Sequence, residues 1–193
     1  HRLSSAGSLT IDDISLHITQ EYVDPTMLMT MQGYGHEISS HTRTHASLST
    51  IATSSMIDEV ANSKTDLLSY GVSQVNTLIY PYGDYSQSVI DQVRNSGYIA
   101  ARSVDRGYNN KNSDKYSLKI QQVDINTTLS DVQTWVNRAI SDKTWLILMY
   151  HQIDNTGGEL STSPSNFQSH ISFIASSGAG IVTMRQGVSL MNQ

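Results

Sequence analysis

Val75-Asn76-Thr77-Leu78-Ile79-Tyr80-Pro81-Tyr82-Gly83-Asp84 is followed by Ser86 to Asn95, then Gly97, then Tyr98-Ile99-Ala100-Ala101-Arg102-Ser103. The first apolar run reads as a strand that Pro81 and Gly83 break into a turn. Ser86 to Asn95 reads as a helix stopped by Gly97. Tyr98 to Ser103 reads as a second strand. A strand, a helix and another strand joined by short turns make a parallel pair with a crossover.

The same alternation extends in both directions. Upstream, Thr50 to Tyr70 has helical spacing, with Ile51, Met56, Ile57, Val60, Leu67 and Leu68 on one face and Gly71 as the stop. Ile38 marks the end of a strand before it. Leu9-Thr10-Ile11 and Ser15-Leu16-His17-Ile18-Thr19 read as two further strands. Downstream, a polar loop from Asp105 to Lys115 precedes a strand from Leu118 to Ile125. Thr128-Leu129-Ser130-Asp131 opens a helix through Ile140. Thr144 to Tyr150 is the most hydrophobic run and reads as a strand buried on both faces. Ser163-Pro164 caps a helix to Ser176, and Ile181-Val182-Thr183 reads as a last strand. The pattern predicts an α/β fold, a parallel sheet or barrel, in one domain over residues 1–193. Ile14 alone separates Asp13 from the strand at Ser15, too little for a parallel crossover. Either these strands are not parallel neighbours, or residues are missing between Asp13 and Ser15. The second is the expectation.

Composition narrows the function. The chain has 193 residues, of which 38% are hydrophobic and 15% charged, with a formal net charge of −5. No basic stripe is available to neutralise phosphates, which argues against nucleic acid. No apolar run reaches the length of a membrane span. Cysteine is absent, so neither a disulfide nor a thiolate metal site can form. The weakly charged, Ser-, Thr- and Asn-rich surface suits an extracellular or cell-wall location. The first residues contain no apolar signal-peptide core, so an export signal is not expected within this chain. A monomer is expected.

Four clusters carry chemistry. His41-Thr42-Arg43-Thr44-His45 would place two imidazoles on one helical turn, where they could share a cation. It follows Gly35-His36-Glu37-Ile38, a strand end, which is where sites of parallel α/β proteins form. In Asp12-Asp13, one carboxylate could complete a His-His-Asp site and the other could act as a base. His151 stands at the end of the Trp145 to Tyr150 run, poised at the mouth of the sheet. In Tyr80-Pro81-Tyr82-Gly83-Asp84, backbone N–H groups of the turn could stabilise an oxyanion. Surface histidines, polar turns and a packed strand-end histidine are the plain alternatives for each cluster taken alone.

Together, and in this order, the clusters resemble the polysaccharide deacetylases of the NodB-homology type, carbohydrate esterase family 4. Thr10-Ile11-Asp12-Asp13-Ile14 is similar to that family's T-F-D-D-G motif, without the glycine. Gly35 to Ile38 with His41 to His45 matches its histidine motif. Tyr80-Pro81-Tyr82-Gly83 matches its P-Y-G turn, without the arginine some members carry. Leu148-Met149-Tyr150-His151 is similar to its L-x-H strand end, and Ser161 to Met184 to its closing helix and strand.

The resemblance implies a distorted (β/α) barrel, seven-stranded, and hydrolysis of acetyl groups on chitin, poly-N-acetylglucosamine, peptidoglycan or acetylxylan. It implies Asp12 as catalytic base, His151 as general acid and the Tyr82 N–H as oxyanion donor. Asp13, His41 and His45 would bind a divalent metal, zinc in most relatives. Pro81, Arg102 and Met149 are candidate substrate or acid-tuning positions. Asp124, or failing that Asp131, is expected to sit against His151 and raise its pKa. The alternatives are another metal-dependent amidohydrolase and an inactive glycan-binding module on the same scaffold.

Overall fold

A computed structural model describes residues 23–191, together with two short strands, β1 (Arg2–Leu3) and β2 (Leu9–Thr10). Asp12, Asp13, the expected break at Ile14 and the strand expected over Ser15–Thr19 lie outside the described residues. β1 and β2 pair with each other, antiparallel.

The centre is a curled four-stranded parallel sheet, the half-barrel that the alternation of strands and helices predicts. Its order is β3 (Thr77–Ile79), β4 (Ala100–Arg106), β5 (Leu118–Gln122) and β6 (Leu148–Met149). Beyond β3, Ser40 bridges Leu78 in parallel, so the strand expected at Ile38 contributes one bridge rather than a ladder. Helix α4 (Gln87–Asn95) makes the crossover from β3 to β4, and α5 (Leu129–Asp142) that from β5 to β6. Both begin where the sequence predicts. The Ser86 side chain accepts from the Val89 N–H, and Thr128 and Asp131 form a capping box.

The main core lies between this sheet and the helices of residues 53–69. Val60, Leu78, Val89 and Val93 are fully buried there, each burial contributing about 1.5–3 kcal/mol. Those helices are continuous but not uniform. α2 (Thr53–Ile57) passes into a π-helical segment, Asp58–Asn62, and then into α3 (Ser63–Ser69). A π turn adds a residue to the helical repeat and rotates the residues beyond it about the helix axis. The single apolar face expected from the spacing is therefore broken. Met56 and Val60 are buried, while Ile57 and Leu68 are exposed.

Two further expectations change. Thr144 to Tyr150 is not a long strand buried on both faces. Only Leu148–Met149 pairs with β5, and Trp145 bridges Asn109. Trp145 to Leu148 are half-buried because a groove of about 800 Å³ opens between them, α5 and α6 (Pro164–Ser176). Ile181-Val182-Thr183 forms no strand, and Ile181 is exposed. The chain continues instead into α7 (Met184–Met191), which brings Val188 into a second cluster with Ala100 and Leu118. Helix α1 (Pro25–Gly33), started by the Asp24 side chain on the Met27 N–H, was not legible because it buries none of its residues. A pair of short parallel strands, β7 (Gln152–Ile153) and β8 (Ser161–Thr162), comes after His151. Among the described residues no helix is long and apolar enough to cross a membrane.

Candidate active site

Three chain segments deliver the candidate residues to the carboxyl end of the parallel sheet. Ser40, bridged to β3, leads into His41; β3 leads into Pro81 and Tyr82; β6 leads, after Tyr150, into His151. Arg102 comes from β4, opposite Ile79.

His41 and His45 do meet, their ring centroids 4.7 Å apart and nearly perpendicular. They do so without the helical turn expected from their spacing. Residues 41–45 form a loop in which Thr42 and His45 have left-handed φ values of 66° and 62°. Two such residues turn the chain sharply enough to point both imidazoles the same way. Hydrogen bonds fasten the loop. The His45 N–H donates to the Thr42 hydroxyl (3.1 Å), and the Arg43 and Thr44 N–H groups donate to one oxygen of Glu59 (2.8 and 2.9 Å). Burial tends to raise the Glu59 pKa, but these donations and that of the Thr44 hydroxyl hold it below the ordinary carboxylate range.

The tautomer of His41 is set by its partner. Nδ1 lies 2.9 Å from the Ile79 carbonyl oxygen, so it must carry the proton and donate. Nε2 is then left with its lone pair free. Burial lowers the His41 pKa most; the Ile79 bond, next in size, works against it, and the neighbouring His45, Arg102 and His151 lower it further. The imidazole is held neutral, the form that binds a metal.

The P-Y-G turn is a 3-10 segment, Pro81–Gly83, in which Tyr82 has a φ of 58°. The Gly83 N–H donates to the Tyr80 carbonyl (3.0 Å) and the Asp84 N–H to that of Pro81 (2.9 Å). The Tyr82 N–H makes no such bond among the described residues. Gly83 is required because a Cβ there would fall 2.3 Å from Val104, at a φ of +70°. The exposed Tyr82 ring packs on His45, centroids 4.6 Å apart. Asp84 ties this turn to the histidine loop by accepting from the Ser47 hydroxyl (2.6 Å) and from both the N–H (2.9 Å) and hydroxyl (2.6 Å) of Ser49.

Arg102 is half-buried; burial lowers its pKa to about 10, and the one described hydrogen bond of its guanidinium is to the Ser103 carbonyl (3.3 Å). The His151 pKa is also lowered, first by burial and then by Arg102. This corrects the expected tuning. Asp124 accepts from Thr127 and lies 3.9 Å from Arg106, and Asp131 caps α5 with Thr128. Both carboxylates are engaged in closing their own turns, away from His151. Met149 is buried in the sheet, its carbonyl accepting from the Val123 N–H (2.9 Å), and Pro81 is buried at the start of its turn.

His41 thus lies beside His45 and within electrostatic reach of the Arg102 cation and of His151. Among the described residues no group of three or more His, Asp or Glu side chains is placed to hold a metal ion. Two imidazoles, one with its Nε2 lone pair oriented by the Ile79 carbonyl, are a fitting partial donor set for a divalent cation. Sequence reading missed Glu59 and Asp84, the carboxylates behind the loops. Their one signal is position: Glu59 sits in an otherwise apolar helical repeat, and Asp84 ends the P-Y-G turn.

The family model of polysaccharide deacetylases matches residues 9–101. No curated protein matches the chain at the sequence level. Among solved structures it is similar to a Streptococcus pyogenes deacetylase in complex with acetate, with 16% identity and a TM-score of 0.56, over 60% of this chain and 51% of that one. It is similar also to a polysaccharide deacetylase of Bacillus anthracis described as putative, with 21% identity and a TM-score of 0.55, over 60% of this chain and 37% of that one. A family 4 carbohydrate esterase from Streptomyces lividans in complex with acetate shares 14% identity at a TM-score of 0.55, over 84% of this chain and 74% of that one. The chain therefore spans about half, or less, of the first two. At these identities the likeness speaks for the fold. By the family match over residues 9–101 and this shared fold, the chain is similar to the polysaccharide deacetylases of the NodB-homology type.

Proposed function

We propose that this chain is a metal-dependent hydrolase that removes N- or O-linked acetyl groups from an extracellular or cell-wall polysaccharide. The observation that carries the reading is the bond from His41 Nδ1–H to the Ile79 carbonyl, which leaves Nε2 bare beside the ring of His45. Neutral imidazoles fixed in this way are what a zinc site requires. Asp13, through its place in the first motif, would complete the donor set, and Asp12 would be the base. Bound there, the metal would supply Lewis-acid polarisation of the acetyl carbonyl and acidify water.

The remaining work falls to the chain's own groups. The Tyr82 N–H donates to the acetyl oxygen as negative charge develops on it. Arg102, a cation within electrostatic reach of His41 and His151, favours the same charge. His151 gives a proton to the departing amine, which cannot leave as an anion. A panel of acetylated glycans, assayed for acetate release with and without chelator, tests the reading. Release that chelation and His41→Ala both abolish is expected. Release untouched by either would sink the metal site, and binding without any release would favour the inactive module.

A further inference from the structure

We propose that Glu59 is the positioning residue of the site: a buried carboxylate, carried on a π-helical turn, that holds the His41–His45 loop in its metal-capturing shape. The proposal rests on reading the two histidines as metal ligands. The loop is intrinsically unfavourable, since Thr42 and His45 both hold left-handed φ values without being glycine. Such a conformation persists only where its surroundings over-determine it. Here the over-determination is Glu59. Its Oε2 accepts from the Arg43 and Thr44 N–H groups, and its Oε1 from the Thr44 hydroxyl at 2.6 Å. These three donors come from the residues lying between the two histidines.

Glu59 is only 7% exposed, and it has no ion-pair partner among the described residues. The nearby Arg43 guanidinium is taken by Asp58 (3.1 Å) and Asp66 (2.8 Å). A buried carboxylate without a counter-ion is stable only if its oxygens are satisfied by donors. The loop is the supplier, so loop and carboxylate fix one another. The π segment Asp58–Asn62 completes the device. Its first two residues serve the same loop, Asp58 on the Arg43 side chain and Glu59 on the backbone. π turns are frequent at functional sites.

Groups that orient metal ligands typically govern metal affinity by 10–100-fold. The test is the zinc dissociation constant of the full chain, by competition with a chromophoric chelator, alongside melting of the metal-free protein. Glu59→Gln is expected to weaken zinc about 10–100-fold. Thr44→Val leaves charge unchanged and removes one donor, so it is expected to weaken zinc several-fold. It keeps the question open to measurement if Glu59→Gln does not fold. Both variants binding zinc as tightly as the wild type, even with lowered melting temperatures, would overturn the proposal and leave Glu59 a loop stabiliser. A wild type whose zinc binding is absent or indifferent to His41→Ala would instead overturn the metal reading, and this assignment with it.

Discussion

On the proposed reading, His151 decides whether the site is built for amides. An amide nitrogen must be protonated as it leaves, while an activated phenyl ester leaves unaided. His151→Ala should therefore lower turnover of an N-acetylated oligosaccharide by about 10²–10⁴-fold and spare an activated acetate ester. Equal loss on both would make His151 a packed strand-end residue. The pH dependence has a definite sign. Burial and Arg102 hold the His151 pKa below its ordinary value, which is about 6.5. The acid form is thus lost as pH rises through a value under 6.5, and amide turnover should decline above it with no matching decline for the ester. Stability has the opposite trend. His41, His151 and His170 all have lowered pKa values, led in each by burial. Below about pH 6.5 the unfolded chain takes up protons that the folded chain refuses, so stability is lost as pH falls. Glu59 and Asp84, held below the usual carboxylate range by their donors, lose their contribution further into acid. Thermal melting from pH 8 to pH 4 should show a steady fall on the acid side, and a midpoint that rose on acidification would contradict these assignments.

At the scale of elements, the site is two loops and a strand end. Asp84 is the tie between the loops, and Asp84→Ala leaves three donors of Ser47 and Ser49 without their acceptor. A loss of about 2 kcal/mol is expected, read as a lower denaturant midpoint, together with weaker zinc binding by the chain. An unchanged midpoint would mean water replaces the carboxylate at no cost. Elements were legible in the sequence according to how each announces itself. α4, α5 and α6 begin at Ser86, Thr128 and Ser163 because each cap is a local bond, written within four residues. β3, β4 and β5 were readable because each carries buried apolar residues: Leu78 in β3, Ala100 and Ala101 in β4, Leu118 and Ile120 in β5. The histidine loop was not, because H-x-x-x-H has the same spacing on a helix as on a loop with two left-handed residues. The distant Glu59 carboxylate, which the sequence does not place, selects the loop. The tuning of His151 failed for a related reason: Asp124 and Asp131 are near enough in sequence to suggest a partner, yet each finds donors within its own turn. The strand expected at Ile181 and the overlooked α7 share a cause, since β-branched residues and a Gly187 mid-segment argue against helix until packing is known.

Over the whole molecule, the sheet is closed on one side by α7, and the fit depends on Gly187. Its α-carbon lies against the Trp145 indole, and a Cβ there would fall 2.4 Å from the ring. Trp145 is itself fixed at the far end of the β6 run by its double backbone bond to Asn109 (2.9 and 2.7 Å). It forms one wall of the groove between α5 and α6, and it packs on the cluster of Ala100, Leu118 and Val188. Gly187→Ala sets two effects against each other. In a helix interior alanine is favoured over glycine by about 1 kcal/mol. An overlap with a rigid, two-sided ring forces backbone movement, which in packed cores costs about 1–3 kcal/mol. Because the overlap is with the fused ring atoms and not the far end of a flexible chain, it should win: a net loss of about 1–2 kcal/mol, with α7 lifted away and Trp145 emission shifted to the red. The active-site loops sit at the carboxyl end of the sheet on other elements, so zinc affinity should stay within about twofold of the wild type. A variant more stable than the wild type would mean that α7 does not dock on Trp145, and that the second cluster is not part of the core.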